Sequence, residues 1–205
     1  MKIAVVAGHS SAVPGVCRDE FREFDLAREM RDAVVRHLAA RQIAGWIPPG
    51  DHEPDLYPEY LTQPIREINA ARCDAAVELH TNSGPPEASH YTLCLHAPGS
   101  ERGRQLAERV ALEVHLALVP WNAVSPQAAS DMAFRKRRAA FVQDTKCPAI
   151  IVEPFFLSNA RVREFLRTHR AEVIENVARS TAAGIAAWCA IEEHRRRATA
   201  EAKPA

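Results

Sequence analysis

The amino-acid sequence predicts an α/β fold, one domain with a mainly parallel twisted sheet and helices on both faces. Three observations carry that expectation. The apolar runs IAVVA (3–7), AAV (75–77) and AIIV (149–152) are near-continuous rather than alternating, as in strands covered on both sides. Segments with the 3.6-residue spacing of amphipathic helices separate them. The 205 residues suffice for one core, and neither an internal repeat nor a linker divides the chain.

In chain order, the opening strand gives way to a polar loop, GHSSAVPGVCRDEF. The stretch EFDLAREMRDAVVRHLAARQ then places Leu26, Met30, Ala33, Val34, His37 and Leu38 on one helical face. AGWIPPG (44–50) reads as a second strand cut off by Pro-Pro-Gly, and the proline- and acid-rich DHEPDLYPEYLTQ as a loop. Thr62 is expected to cap a helix through PIREINAARC, with Pro64 in the tolerated first turn. CDAAVELHTNS (73–83) and HYTLCLHAP (90–98) are the next strand candidates. Ser100 starts a helix, ERGRQLAERVALEVHLAL. Residues 120–138 read as loop at first and match no pattern afterwards. CPAIIVEPFFLSN (147–159) holds the third buried-type run, and two helices, 160–169 and 171–193, close the domain. The domain is thus expected over 1–193, with 194–205 a polar tail that lacks a burial pattern and frays.

Composition narrows the function. Lys+Arg and Asp+Glu balance at 26 each, which gives no footprint for nucleic acid or an anionic membrane. The basic FRKRRAA (134–140) is local and reads as a solvated face. No segment reaches the ~18 apolar residues of a membrane-inserted span, and Met1-Lys2 leads into a strand without a secretory pattern. The chain is therefore expected to be cytoplasmic as synthesised. Five cysteines without CxxC spacing favour neither a disulfide framework nor a cysteine zinc site.

The chemistry lies at the strand ends. Three strands expected at the centre of the sheet end on His9, His80 and Glu153. Ligands of open α/β sheets bind at the carboxyl ends of the strands, so three groups able to hold a metal or move a proton converge on one edge. Two imidazoles and a carboxylate form a usual ligand set for catalytic zinc, with a position open for water. Singly, each residue also fits a bland role as loop residue or strand terminator, and spacing alone does not decide.

These residues resemble the zinc-dependent N-acetylmuramoyl-L-alanine amidases of the Amidase_3 type. IAVVAGHSSAVPGV is similar to the opening strand, Gly-His turn and Pro-Gly loop of that family, and FREFDLAREMRDAV to its metal-binding glutamate at the head of the first helix. AAVELHTNSG resembles its second histidine motif, and CPAIIVEPFFLSNARVREFL its final glutamate signature. The resemblance implies His9, Glu23 and His80 as zinc ligands and Glu153 as the catalytic carboxylate. Spacing by itself left Glu23 and Glu153 open as the ligand. The chain departs from the family pattern at Glu78, where a small or apolar residue is common. Strand geometry puts 78 and 80 on one side, so Glu78 is either a partner for a ligand or faces an outer helix. Asn82 either orients substrate or His80, or shapes a turn, and His90 and His96 remain spare ligand candidates.

The activity implied is hydrolysis of the amide between N-acetylmuramic acid and L-alanine in peptidoglycan, with Zn2+ as cofactor. Lacking an export signal, such an enzyme resembles a phage or prophage endolysin released to the wall by a membrane-permeabilising, holin-type partner; an exported enzyme without its leader would read the same. Two alternatives stand beside it: a zinc amidohydrolase of small N-acyl amino acids, and a metal-free wall-binding module.

Overall fold

The computed structural model describes residues 1–51, 59–85, 89–121, 126–130 and 139–201. Every apolar run named above becomes a strand: β1 (Lys2–Ala7), β5 (Ala75–Leu79) and β8 (Ala149–Glu153). Around them are a two-stranded hairpin, β2 (Cys17–Arg18) with β3 (Phe21–Arg22), then α1 (Glu23–Ala39) and β4 (Ala44–Trp46). Next come α2 (Glu59–Ala70), β6 (Thr92–His96), α3 (Glu101–Leu118), β7 (Pro126–Ser130), α4 (Ala140–Asp144) and α5 (Ala160–Glu201).

Six strands form one sheet in the order β4-β1-β5-β8-β6-β7. The first four are mutually parallel, while β6 runs antiparallel to β8 and β7 parallel to β6. The expected mainly parallel α/β sheet is the fold, with two reversed strands at one side. Alternation sorts the side chains. Ile3, Val5, Ala75, Val77, Ile150 and Val152 join α1, α3 and α5 through Leu26, Met30, Val110, Val177 and Trp188. Ala4, Val6, Ala76, Leu93 and Ile151 meet Ile65, Ile68, Phe141 and Val142 of α2 and α4 on the other face.

Several local expectations change. Thr62 does not cap a helix: α2 begins at Glu59, so Thr62 and Pro64 lie inside it. Pro64 therefore removes one main-chain donor from the helix. Residues 126–130 form a strand at the edge of the sheet, where its leading Pro126 is tolerated. The two closing helices meet at a kink at His169, whose backbone is non-helical, as the sequence predicts, but the second continues through 194–201, where fraying was expected. Arg195 reaches Glu192 and Gln105, and Arg196 reaches Asp74, so that stretch is tied to the domain. Residues 134–138 of the basic run, and His52 to Pro58 of the acidic loop, lie outside the described residues.

Candidate active site

The parallel register lays the ends of β1, β5 and β8 side by side. Ala7 pairs with Leu79, and Leu79 with Val152. One step further along, His80 and Glu153 stand next to each other, with the His80 N–H donating to Val152 O at 2.9 Å. His9 leaves β1 in a left-handed backbone conformation (φ 70°), a strained state for a non-glycine residue of the kind found at functional sites. The turn brings its ring to 4.9 Å from that of His80, centroid to centroid, at 77°.

Glu23 joins them from the first turn of α1. Its helix lacks a side-chain N-cap, and loop 14–16 supplies the missing acceptors: Glu23 N–H donates to Val16 O and Phe24 N–H to Pro14 O. The Val16 N–H returns a bond of 2.9 Å to Glu23 Oε2. Oε1 accepts the Thr81 N–H at 3.0 Å and lies 2.9 Å from His80 Nδ1, while Oε2 lies 3.2 Å from His9 Nε2. Burial raises the Glu23 carboxyl, but the bonds from His80 and His9 outweigh it and hold the group well below the usual carboxylate range. Burial lowers His80, yet the charges of Glu78 and Glu23 push it up to about 9.

The site fits a metal. One donor atom from each of His9, Glu23 and His80 lies within 4.8 Å of the others. Ligands on zinc bonds of about 2.1 Å stand roughly 3.4 Å apart in a tetrahedron, against imidazole–carboxylate distances of 2.9 and 3.2 Å here. Nδ1 of His9 is buried and has no hydrogen-bond partner among the described residues. Two glycines leave the room: a Cβ on Gly8 would lie 2.2 Å from the His80 ring, and one on Gly15 (φ +71°) 2.5 Å from both Glu23 and His9.

The remaining candidates separate cleanly. Glu153 is buried at the end of β8, beside His80. Glu78 points to the same side of β5 as His80, and its Oε2 lies 3.2 Å from His80 Nε2. Asn82 extends the pairing of β5 with β8 through a bridge to Phe156, and its Oδ1 accepts the Ser83 N–H. His96 pairs with Ile150 near the start of β8, so it is remote from the strand ends and is no spare ligand. His90 is buried just before β6 at the site edge, next to Ser89, whose carbonyl accepts from Asn159.

Sequence reasoning missed one support. Arg31 of α1 and Asp51 form a buried ion pair, and Asp51 Oδ1 accepts the Ala7 N–H at 3.0 Å. β4 ends opposite Ala4, so this carboxylate replaces a strand partner just before His9. An arginine in the inward arc of α1 was the available signal.

A sheet edge gathering two imidazoles and two carboxylates has the donor set of a metal-dependent hydrolase. Residues 3–187 match the Amidase_3 model, described as N-acetylmuramoyl-L-alanine amidase, and the chain belongs to that family. It is similar in fold to the N-acetylmuramoyl-L-alanine amidase AmiC2 of Nostoc punctiforme, at TM-score 0.77 and 16% identity over 92% of this chain and 97% of that one. The catalytic domain of the amidase CwlV from Bacillus (Paenibacillus) polymyxa gives 0.69 and 21%, over 92% and 98%. The catalytic domain of the CD27L endolysin targeting Clostridia difficile gives 0.72 and 18%, over 90% and 96%. Comparison with curated protein sequences gives no match.

Proposed function

We propose that the protein is a zinc-dependent N-acetylmuramoyl-L-alanine amidase that cuts the bond between the lactyl group of N-acetylmuramic acid and the L-alanine of the stem peptide. The observation that carries this is the His9–Glu23–His80 cluster beside Glu153, in a chain of that family. His9, Glu23 and His80 would hold the ion. Zinc bound there supplies Lewis acidity, which makes water nucleophilic near neutral pH and draws electron density from a carbonyl. Glu153 takes the proton of the attacking water and passes it to the departing amine, so the C–N bond breaks without releasing an amide anion. The Gly8 and Gly15 positions keep Cβ atoms out of the cluster, and the Glu23 bonds to loop 14–16 hold His9 and Glu23 in one unit.

Peptidoglycan lies outside the cytoplasm, and the proposal includes a holin-type, membrane-permeabilising partner that releases the enzyme in a lytic role. Coexpression with such a partner is expected to lyse cells that expression alone leaves intact. The direct test is digestion of purified peptidoglycan beside a panel of N-acyl amino acids, with mass analysis of the products. Free stem peptides with L-alanine amino termini, lost to a chelator and restored by zinc, are expected. Cleavage of the small substrates alone would overturn the wall assignment, and no zinc uptake with no cleavage would leave a binding module.

A further inference from the structure

We infer that Glu78 is a positioning residue for His80, accepting a bond from Nε2–H so that Nδ1 is the nitrogen presented to Glu23 and the metal position. The inference rests on the zinc reading above and deepens it. Its geometry is a bracket. Glu23 Oε1 lies 2.9 Å from Nδ1 and Glu78 Oε2 3.2 Å from Nε2, so the two ring nitrogens meet carboxylates from different elements. The ring lies against Gly8, where any Cβ would collide with it.

A neutral imidazole has one N–H and one lone pair, and the partner of one nitrogen decides what the other does. With Nε2–H given to Glu78, Nδ1 is the nitrogen that exchanges its proton, shared with Glu23, for a metal, and the Glu78 carboxylate makes it a better donor. A half-turn of the ring would break both contacts at once.

Glu78 also stands where packing alone argues against a carboxylate. In the register it lies between Val6 of β1 and Ile151 of β8, and it is 9% exposed. A charge buried between aliphatic neighbours is costly unless paired, whereas an apolar residue there would simply extend the face formed by Ala76 and Leu93. The described partner that compensates it is His80.

The test compares Glu78→Leu and Glu78→Gln by zinc affinity, in competition with a chromophoric chelator, and by the melting temperature of the metal-free protein. The leucine variant is expected to bind zinc about 10–100-fold more weakly. The glutamine variant keeps an accepting oxygen and recovers most of the affinity. Wild-type affinity in the leucine variant overturns the inference. So does a loss that comes with a lower metal-free melting temperature and no recovery by glutamine, the mark of a merely structural role. A wild-type protein that takes up no zinc at all removes the zinc reading, and this inference with it.

Discussion

The two oxygens of Glu23 serve four donors: two backbone N–H groups and two imidazoles. That division makes the residue both a fold element and a candidate ligand. Glu153, by contrast, lies beside His80 outside the three-residue cluster. Exchange of Glu153 for glutamine should therefore leave zinc content and fold intact while lowering turnover about 10²–10⁴-fold, the worth of a general base. Removal of the His80 ring should instead abolish metal uptake. Elemental analysis and a rate assay on both variants check this, and a full zinc equivalent in His80→Ala would refute its assignment. At this scale His9, His80 and Glu153 were legible from strand ends alone. Glu23 emerged only through resemblance, because a glutamate opening a helix has an ordinary reason to be there, favouring the positive end of the dipole. Arg31 and Asp51 were not legible, since the sequence carries no mark of which carboxylate an inward arginine meets.

Helix α5 crosses α3 at Gly184, where an added Cβ would stand 2.6 Å from Val110 Cα. Because the obstacle is backbone, it cannot swing aside. Gly184→Ala is expected to destabilise the protein despite a helix-propensity gain of about 1 kcal/mol, and Gly184→Val to do so further, since overpacking costs about 1–3 kcal/mol or more. Denaturant midpoints would show it, and a more stable alanine variant would contradict the crossing. The strands buried on both faces were legible, as were α1 and α3 from their helical period, whereas β7 was not. β7 (PQAAS) has no apolar run and half-exposed side chains, so only its pairing with β6 makes it a strand. The break at His169 was legible as the gap between two helical patterns, and the backbone there is non-helical. Thr62 looked like a cap because Pro64 follows two residues on, a local preference that α2 overrides.

Across the whole molecule, the buried pair Glu23–His80 links stability to pH. Glu23, held below its ordinary 4.5, contributes stability that is present above about pH 4.5 and is lost as the pH falls below it. His80, raised from 6.5 to about 9, contributes stability that is complete below 6.5 and lost as the pH rises through 9. The metal-free protein should thus melt highest, as far as this pair decides it, between about pH 4.5 and 6.5. Added zinc should remove the alkaline decline, because a cation takes the place of the proton on His80 and binds only the folded state. Melting curves from pH 3 to 10, with and without zinc, test it, and an unchanged alkaline limb would count against His80 as a ligand.

By itself the sequence determined the layer architecture, the three central strands and the residues at their ends, because burial on two faces and the 3.6-residue period are written locally. Only the tertiary structure decided that His9 and His80 share one carboxylate, that Glu78 backs His80, and that Asp51 replaces a strand partner beside Ala7. Those contacts reach up to 57 positions along the chain, between Glu23 and His80. No local preference encodes them; they follow from which strands become neighbours and in what register.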